Sequence, residues 1–219
     1  LSDLGTLGGH HAAALSINDS DQIVGYATLA GDAQIRAFIY QNGVMSMIAM
    51  YAGTTESYAY DISNTGFVVG TCVAGTPAKP FMWRGGVFQP LPIPVYARTG
   101  AANAVNDAGV AAGCWEANQY TGSFVACLWY GPQRLDLPNL GGPVAYAVAS
   151  DINVLGQVVG TSGSAAGYTG FLYQNGRMYD LRDLMTTPLL ITSAHSINDV
   201  GQIAAGVEAY FGLIAFFEG

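Results

Sequence analysis

Lysine is almost missing from this chain of 219 residues, which contains only Lys79, and charged residues make up 10% of the sequence. Seven basic residues against 15 acidic ones give a formal net charge of −8. This balance argues against nucleic acid as a partner, because phosphate binding requires clustered Lys and Arg. Apolar runs stay well short of the roughly 18 residues that a membrane-spanning helix requires. A helical bundle is also disfavoured, because its surfaces rely on Ala, Leu, Glu and Lys.

Glycine, by contrast, is abundant, and it recurs within an internal repeat. Five segments align with one another: SINDSDQIVGY, DISNTGFVVGT, AVNDAGVAAGC, DINVLGQVVGT and SINDVGQIAAG. Their closing glycines form one column of the alignment: Gly25, Gly70, Gly113, Gly160 and Gly206. An alanine column lies upstream: Ala14, Ala59, Ala102, Ala149 and Ala194. A third, mostly aromatic column lies downstream: Phe38, Phe81, Cys127, Phe171 and Phe216. Three columns in register over five copies show that the chain is a repeat protein.

Each repeat is predicted to contain four short β-strands. An Asp-x-Gly type of turn separates the first two strands, and an Asn-Gly or Gly-Gly turn separates the last two, which is a strong hairpin signal. Four strands in about 40–50 residues are typical of a propeller blade. We therefore predict an all-β fold: a five-bladed β-propeller with four antiparallel strands per blade. The predicted single domain covers residues 1–219, with repeats at approximately 5–48, 49–91, 92–137, 138–181 and 182–219.

The fifth repeat has no fourth strand after its closing FFEG. The stretch LSDL at residues 1–4 matches the end of RMYDL at residues 177–181, which is the fourth strand of the preceding repeat. We therefore predict that the N-terminal strand closes the last blade, since closure removes two exposed sheet edges.

The motifs DLGTLGG, IND..QIVG, AFIYQNG and MYDL resemble the HAF-type extracellular repeat family of bacterial proteins. The resemblance covers essentially the whole chain. The second repeat departs most, with DISNTG, and the third has Cys127 in place of Phe. The resemblance implies a β-propeller that is secreted or displayed at the cell surface, and it implies no catalytic residue.

Cysteine is scarce, with three residues in the chain. Cys114 and Cys127 lie on either side of a predicted hairpin loop, and a symmetric hairpin would place them opposite each other. Such a pair can form a disulfide if the Cβ atoms approach to about 4 Å, and an exported protein would permit one. Two buried free thiols are the alternative. Cys72 is interpreted as a small buried hydrophobic residue.

Carboxylates and histidines allow a rival, catalytic interpretation. A glycoside-active enzyme would need acids that converge on the propeller axis, and the candidates are Glu56 with Asp61 or Asp151. A metal site at His10 and His11 would need a third ligand such as Glu56, and we predict neither a metal nor a cofactor.

One position of the repeat, six residues before the Ile or Val of each first strand, differs in every copy: His11, Glu56, Thr99, Tyr146 and Ile191. We expect it to face the mouth of the channel. The loops between the second and third strands also diverge and carry aromatic residues, which favours one asymmetric site over five equal ones. The predicted ligand-binding residues are His11, Glu56, Arg98, Tyr120, Tyr146, Tyr168 and Tyr210.

These observations predict a non-catalytic extracellular binding module that recognises a surface glycan or a cell-surface protein through loops at one end of the propeller. Aromatic rings suit the apolar faces of sugars, so a glycan is favoured. A glycoside-active enzyme and a structural repeat scaffold without any small ligand remain as alternatives.

Overall fold

The computed structural model describes residues 3–51, 53–75, 78–118, 120–142, 145–186 and 189–207, together with the backbone of residues 214–217. Strands dominate this part of the chain, and the only helix in it is one 3₁₀ turn, Leu181–Leu184. Its strands are β1 (Gly8–Ile17), β2 (Ile23–Leu29), β3 (Ile35–Gln41), β4 (Val44–Met47), β5 (Glu56–Ile62), β6 (Val68–Val73), β7 (Ala78–Arg84), β8 (Val87–Pro90), β9 (Gly100–Val105), β10 (Val110–Asn118), β11 (Ser123–Tyr130), β12 (Gln133–Asp136), β13 (Ala147–Ile152), β14 (Val158–Ser164), β15 (Gly167–Gln174), β16 (Arg177–Asp180), β17 (Ile191–Ile197), β18 (Ile203–Val207) and β19 (Ile214–Phe217).

The strands form five consecutive antiparallel units, each a meander of neighbouring hairpins. Units one to four are β1–β4, β5–β8, β9–β12 and β13–β16, and unit five is β17–β19 within the described residues. The predicted four strands per repeat are therefore confirmed for the first four repeats. The first strand of each unit is called its inner strand. A parallel bridge joins the start of a third strand to the beginning of the next inner strand, or to the residue just before it, at three junctions: Ile35 with Glu56, Ala78 with Thr99, and Phe124 with Tyr146.

The hydrophobic core is divided into layers, and each layer lies between two consecutive units. Between units one and two, for example, Val24 and Ile39 of the first unit pack with Ala59, Ile62 and Phe81 of the second. The other three junctions are built in the same way. The aromatic column also belongs to the interior, since its four described side chains are almost fully buried: Phe38, Phe81, Cys127 and Phe171.

The column requires glycine for a steric reason, which lies where the first and second strands of a unit pair. A Cβ atom on Gly25, Gly70 or Gly113 would overlap a backbone carbonyl oxygen of the adjacent inner strand. The inner strand carries a register irregularity near this point in each of these units. Only glycine permits such a close backbone approach.

The turns between first and second strands connect neighbouring units by hydrogen bonds. The Asn18 side-chain amide donates to the carbonyl oxygen of Ser63 (3.0 Å), and Asn106 donates to that of Asn153 (3.1 Å). Asn153 in turn donates to the carbonyl oxygen of Asn198 (3.1 Å). Because each bond crosses from one repeat to the next, these turns fix the angle between successive units at one end of the array.

The candidate disulfide between Cys114 and Cys127 is not formed, and the alternative of buried free thiols is the one that the structure shows. Cys127 lies opposite Gly113, and Cys114 lies opposite Ala126. Consecutive positions of a strand point to opposite faces, so the two cysteine side chains lie on opposite faces of the sheet. All three cysteines are free and buried, and burial raises the pKa of the Cys114 thiol to about 12.

The first inner strand is much more exposed than its counterparts. Ala14 is exposed, whereas the other four alanines of its column are almost completely buried. Ile17 is 61% exposed, and the four equivalent residues are each 5% exposed: Ile62, Val105, Ile152 and Ile197. Within the described residues, no strand of unit five pairs with unit one. The face of β1 that corresponds to a layer of core elsewhere therefore lies open.

Candidate functional site

The repeat places its variable residues at the end of the array opposite to the asparagine turns. The inner strands begin there, and the loops between second and third strands lie beside them. Of the seven predicted ligand-binding residues, two pairs are brought together at this end: Arg98 with Tyr120, and Tyr146 with Tyr168. Tyr210 lies outside the described residues.

The first pair lines a cleft in unit three, which we call the tyrosine cleft. It has a volume of about 250 Å³ and is lined by Tyr96, Arg98, Glu116, Asn118 and Tyr120, with Ala117 between them. Tyr96 is 70% exposed and Tyr120 is 89% exposed. The cleft therefore combines two exposed aromatic rings with a guanidinium, a carboxylate and an amide.

Buried packing supports the tyrosine cleft from below. Trp115 is buried, and its ring meets that of Tyr96 edge-to-face at 5.9 Å between centroids. The Trp115 indole N–H donates to Asp136 Oδ1 (2.9 Å), and Arg134 lies over the indole and pairs with the same carboxylate. On the other wall, the Tyr120 N–H donates to Asn118 Oδ1 (2.9 Å). These contacts hold two of the lining segments in a fixed geometry.

The second pair belongs to an aromatic row that crosses from unit three to unit four. Phe124 and Tyr146 meet at 5.9 Å between ring centroids, and Tyr146 and Tyr168 meet at 5.1 Å, both edge-to-face. Burial raises the pKa of Tyr146. Tyr168 is 53% exposed. The row therefore ends on an accessible ring.

Glu56 lies in a separate tyrosine group between units one and two. The Tyr58 hydroxyl donates to Glu56 Oε2 (2.8 Å), and the Tyr58 ring contacts those of Tyr26 and Tyr60. Burial, followed by the hydrogen bond to Glu56, raises the pKa of Tyr58 to about 12.

His11 is exposed at the beginning of β1, where its backbone N–H donates to Thr28 Oγ1 (3.1 Å). Its neighbour His10 pairs with Asp32, and this hydrogen bond raises the pKa of the exposed imidazole. Within the residues that the structure describes, His, Cys, Asp and Glu form no group of three that could hold a metal ion. The expected channel-facing position fails in the fifth repeat, because Ile191 is completely buried in the core.

In the rival enzyme interpretation, Glu56 does not converge with Asp61 or Asp151. Glu56 is the first residue of β5 and Asp61 is the last but one. Five residues of extended strand place them about 16 Å apart. Retaining and inverting glycosidases need carboxyl groups about 5–9.5 Å apart. Asp151 holds the same register position in its unit as Asp61 does in its own, so it lies at the same distant end.

Asp61 and Asp151 instead form hydrogen bonds to neighbouring units. Asp61 accepts hydrogen bonds from Ser16 Oγ in unit one (2.7 Å) and from the Val105 N–H in unit three (2.9 Å). Asp151 accepts from Ser196 Oγ in unit five (2.8 Å). Both carboxylates line a polar cavity of about 200 Å³ at the asparagine-turn end of the array. Their hydrogen bonds give these acids a structural role.

Three cleft and row residues were missed by sequence reasoning: Tyr96, Glu116 and Phe124. Tyr96 lies in the stretch before β9, outside the repeat columns, so the alignment gave no reason to select it. Glu116 and Phe124 lie at strand ends, where ordinary packing is the usual role of such residues. A signal was nevertheless present, since both flank the loop that carries Tyr120.

A scan against protein-family models finds no match for this chain, and a search of curated proteins finds none either. Among solved structures, the chain is similar to a prolyl endopeptidase, with a TM-score of 0.64 and 10% identity over 96% of this chain and 34% of that one. It is also similar to TolB from Acinetobacter baumannii, with a TM-score of 0.61 and 11% identity over 95% of this chain and 52% of that one. YCF48 bound to D1 peptide matches with a TM-score of 0.46 and 15% identity over 94% and 63% of the two chains.

The chain thus spans about a third of the endopeptidase and about half of TolB. At these identities the likeness concerns the fold alone. No helix in the described part of the chain is long and apolar enough to cross a membrane. The predicted all-β architecture is confirmed, and the chain is similar in fold to propeller-like proteins.

Proposed function

We propose that this protein is a non-catalytic binding module that recognises a glycan at the tyrosine cleft. The observation that supports this proposal is the pairing of two highly exposed tyrosines, Tyr96 and Tyr120, across a cleft that also contains Arg98, Glu116 and Asn118. Soluble proteins bury most large aromatic rings, and exposed ones grouped around a concavity are typical of a binding site.

The chemistry of the cleft suits sugar rings. Tyrosine faces offer apolar contact area at low conformational cost. The guanidinium of Arg98 can only donate hydrogen bonds, the carboxylate of Glu116 accepts them, and the Asn118 amide does both. A sugar hydroxyl both donates and accepts, so neighbouring hydroxyls of one ring can satisfy groups of both kinds. A ligand with a single strong charge would leave either Arg98 or Glu116 facing a like charge.

A glycan array, run with the purified protein beside a hydrolysis assay on the same sugars, tests this function. We expect selective binding without turnover, and at least tenfold weaker binding in Tyr120→Ala and Tyr96→Ala. The matched control is Tyr130→Ala, because Tyr130 is also exposed (48%) but lies at the far end of β11. Turnover would favour the enzyme, and silence on every glycan with retention of a peptide from a display library would favour a protein partner.

We also propose that the repeats belong to the HAF-type extracellular family and that the protein acts at the cell surface. The three repeat columns and the motifs they carry support this assignment. Fractionation of the producing cells, followed by immunodetection with an antibody to this chain, tests it. Recovery from the medium or the surface fraction is expected, and recovery from the cytoplasmic fraction alone would contradict it.

We further propose that residues 1–219 form one five-bladed ring in which residues 1–4 supply the last fourth strand. One observation in favour is the buried residue that follows each fourth strand at the first four junctions: Ile48, Leu91, Leu137 and Leu181. Leu4 holds the matching position in the N-terminal LSDL. The open face of β1 also favours closure, because covering an exposed Ile side chain contributes about 1.5–3 kcal/mol.

A further inference from the structure

We propose that the tyrosine cleft is one end of an extended binding track that continues across Phe124 to Tyr146 and Tyr168, and that the track takes a neutral oligosaccharide of several units. This inference rests on the proposed glycan recognition at the cleft. It adds the length and the charge of the ligand.

The register of unit three connects the cleft to the aromatic row. Glu116 of β10, which lines the cleft, lies directly opposite Phe124 of β11. Residues directly opposite in an antiparallel pair project from the same face, with Cβ atoms about 4.5–5.5 Å apart. The ring of Phe124 therefore stands beside the carboxylate that lines the cleft.

The connection then crosses to unit four. A parallel bridge joins the backbones of Phe124 and Tyr146, and the rings of Phe124, Tyr146 and Tyr168 follow one another at 5.9 and 5.1 Å between centroids. Successive edge-to-face pairs turn each ring by about a right angle to the next. The row of three aromatic rings thus runs from unit three into unit four.

Exposure distinguishes this row from core packing. The aromatic column of the core is almost completely buried, with Phe171 as the example in unit four. The side chains of Phe124 and Tyr146 are only partly buried, and Tyr168 is 53% exposed. Apolar rings that remain accessible in a row, next to a cleft with polar groups, fit a ligand that lies along them.

Charge selects a neutral ligand. The tyrosine cleft contains one basic and one acidic side chain, Arg98 and Glu116, which balance. The chain as a whole carries a formal net charge of −8 with only seven Lys and Arg. A field of this sign repels polyanions, so glycans rich in uronic or sialic acids are disfavoured.

The test is titration calorimetry with ladders of one to six units of β-1,4-linked glucose, xylose and N-acetylglucosamine, plus the array ligand in matched lengths. For a ladder that binds, we expect affinity to rise at least tenfold from two units to six. Tyr168→Ala should abolish this gain and leave the affinity for two units within twofold, whereas Tyr120→Ala should weaken all lengths. Tyr168→Phe retains the ring and should retain the gain, which separates a lost contact from a disturbed fold.

An affinity that does not change with length would overturn the track and leave the cleft intact as a binding site. Equal losses for short and long ligands in Tyr168→Ala would overturn it as well. Tighter binding of a polyuronate ladder than of a neutral one would refute the inference about charge. Failure of every sugar to bind, in contrast, would refute the proposed function itself.

Discussion

The first inner strand and the four that follow it have nearly the same sequence pattern, yet only the later ones are buried. Ile17 of β1 is 61% exposed, whereas Ile62 of β5 is 5% exposed. The two residues hold the same place in the repeat and the same register against their second strands. What differs is the neighbour: unit one packs on β5, and no described unit packs on β1 in the same way. Burial in this fold is therefore a property of the junction between units.

This difference explains why a single unit would not be stable. Units two, three and four each share one core layer with the unit before them and another with the unit after them, as in other repeat proteins. An isolated four-stranded unit would expose its half of each layer. Closure of the ring is the arrangement in which every half finds a partner, and it is the hypothesis that mutation of β1 can test most directly.

The largest expected effect comes from truncation of the two equivalent isoleucines. Ile62→Ala removes a buried side chain, so it should lower the free energy of unfolding by about 2–5 kcal/mol. In a closed ring Ile17→Ala should cost about the same. Urea unfolding of both variants and of the parent protein measures the pair. A loss below about 1 kcal/mol for Ile17→Ala alone would mean that the face of β1 is open in solution.

Much of this fold could be predicted because the same strand and turn signals recur in five copies of the repeat. The Asn-Gly turn at Asn42 adopts the positive φ expected of it, and so does the one at Asn175. The choice between a disulfide and two free thiols could not be made from the sequence in the same way. Whether Cys114 faces Cys127 depends on a one-residue difference in register, and a slip of one residue moves a side chain to the other face.

The candidate site was predictable only in part, for a related reason. Tyr146 was selected because its column varies among the repeats, and the structure places it beside Tyr168. Tyr96 belongs to no column, and its approach to Tyr120 depends on how the segment before β9 folds back over Trp115. Contacts between a loop and a segment outside the repeat carry no periodic signal, so only the three-dimensional arrangement reveals them.

A second comparison concerns the aspartate that ends a fourth strand. Asp180 accepts hydrogen bonds from Arg182 Nη2 (2.6 Å) and Thr169 Oγ1 (2.8 Å). Its N-terminal counterpart Asp3 is exposed and accepts from the Gly5 N–H (2.9 Å). Asp180→Ala should therefore lower the free energy of unfolding by about 1–3 kcal/mol at neutral pH. Asp3→Ala should change it by less than about 0.5 kcal/mol.

The pH dependence of the stability loss in Asp180→Ala gives a sharper test than the size of that loss. Burial opposes ionisation of Asp180, but its hydrogen bonds to Arg182 and Thr169 outweigh burial and lower the pKa in the folded state. Stability from such a group is present above the unfolded pKa and is lost as pH falls through the folded one. The deficit of Asp180→Ala, measured by urea unfolding, should thus shrink as pH falls below about 4, the unfolded pKa of an Asp. A deficit that does not change with pH would assign the loss to packing.

The smallest expected effect concerns Asp61, and its pH dependence has the opposite sign to that of Asp180. Asp61 accepts hydrogen bonds from Ser16 of unit one and from Val105 of unit three, and Ser16 itself holds the equivalent position in unit one. Burial nevertheless raises the pKa of Asp61 in the folded protein. For an acid with a raised folded pKa, stability is present below the unfolded pKa and is lost as pH rises through the folded value. Asn at this position carries no charge, so Asp61→Asn should gain stability relative to the parent as pH rises from about 3 to about 7. Urea midpoints of both proteins across this range measure it, with Asp19→Asn, in an exposed turn, as the matched control. A relative gain on going to lower pH would mean that the bonds from Ser16 and Val105 stabilise the carboxylate more than burial penalises it.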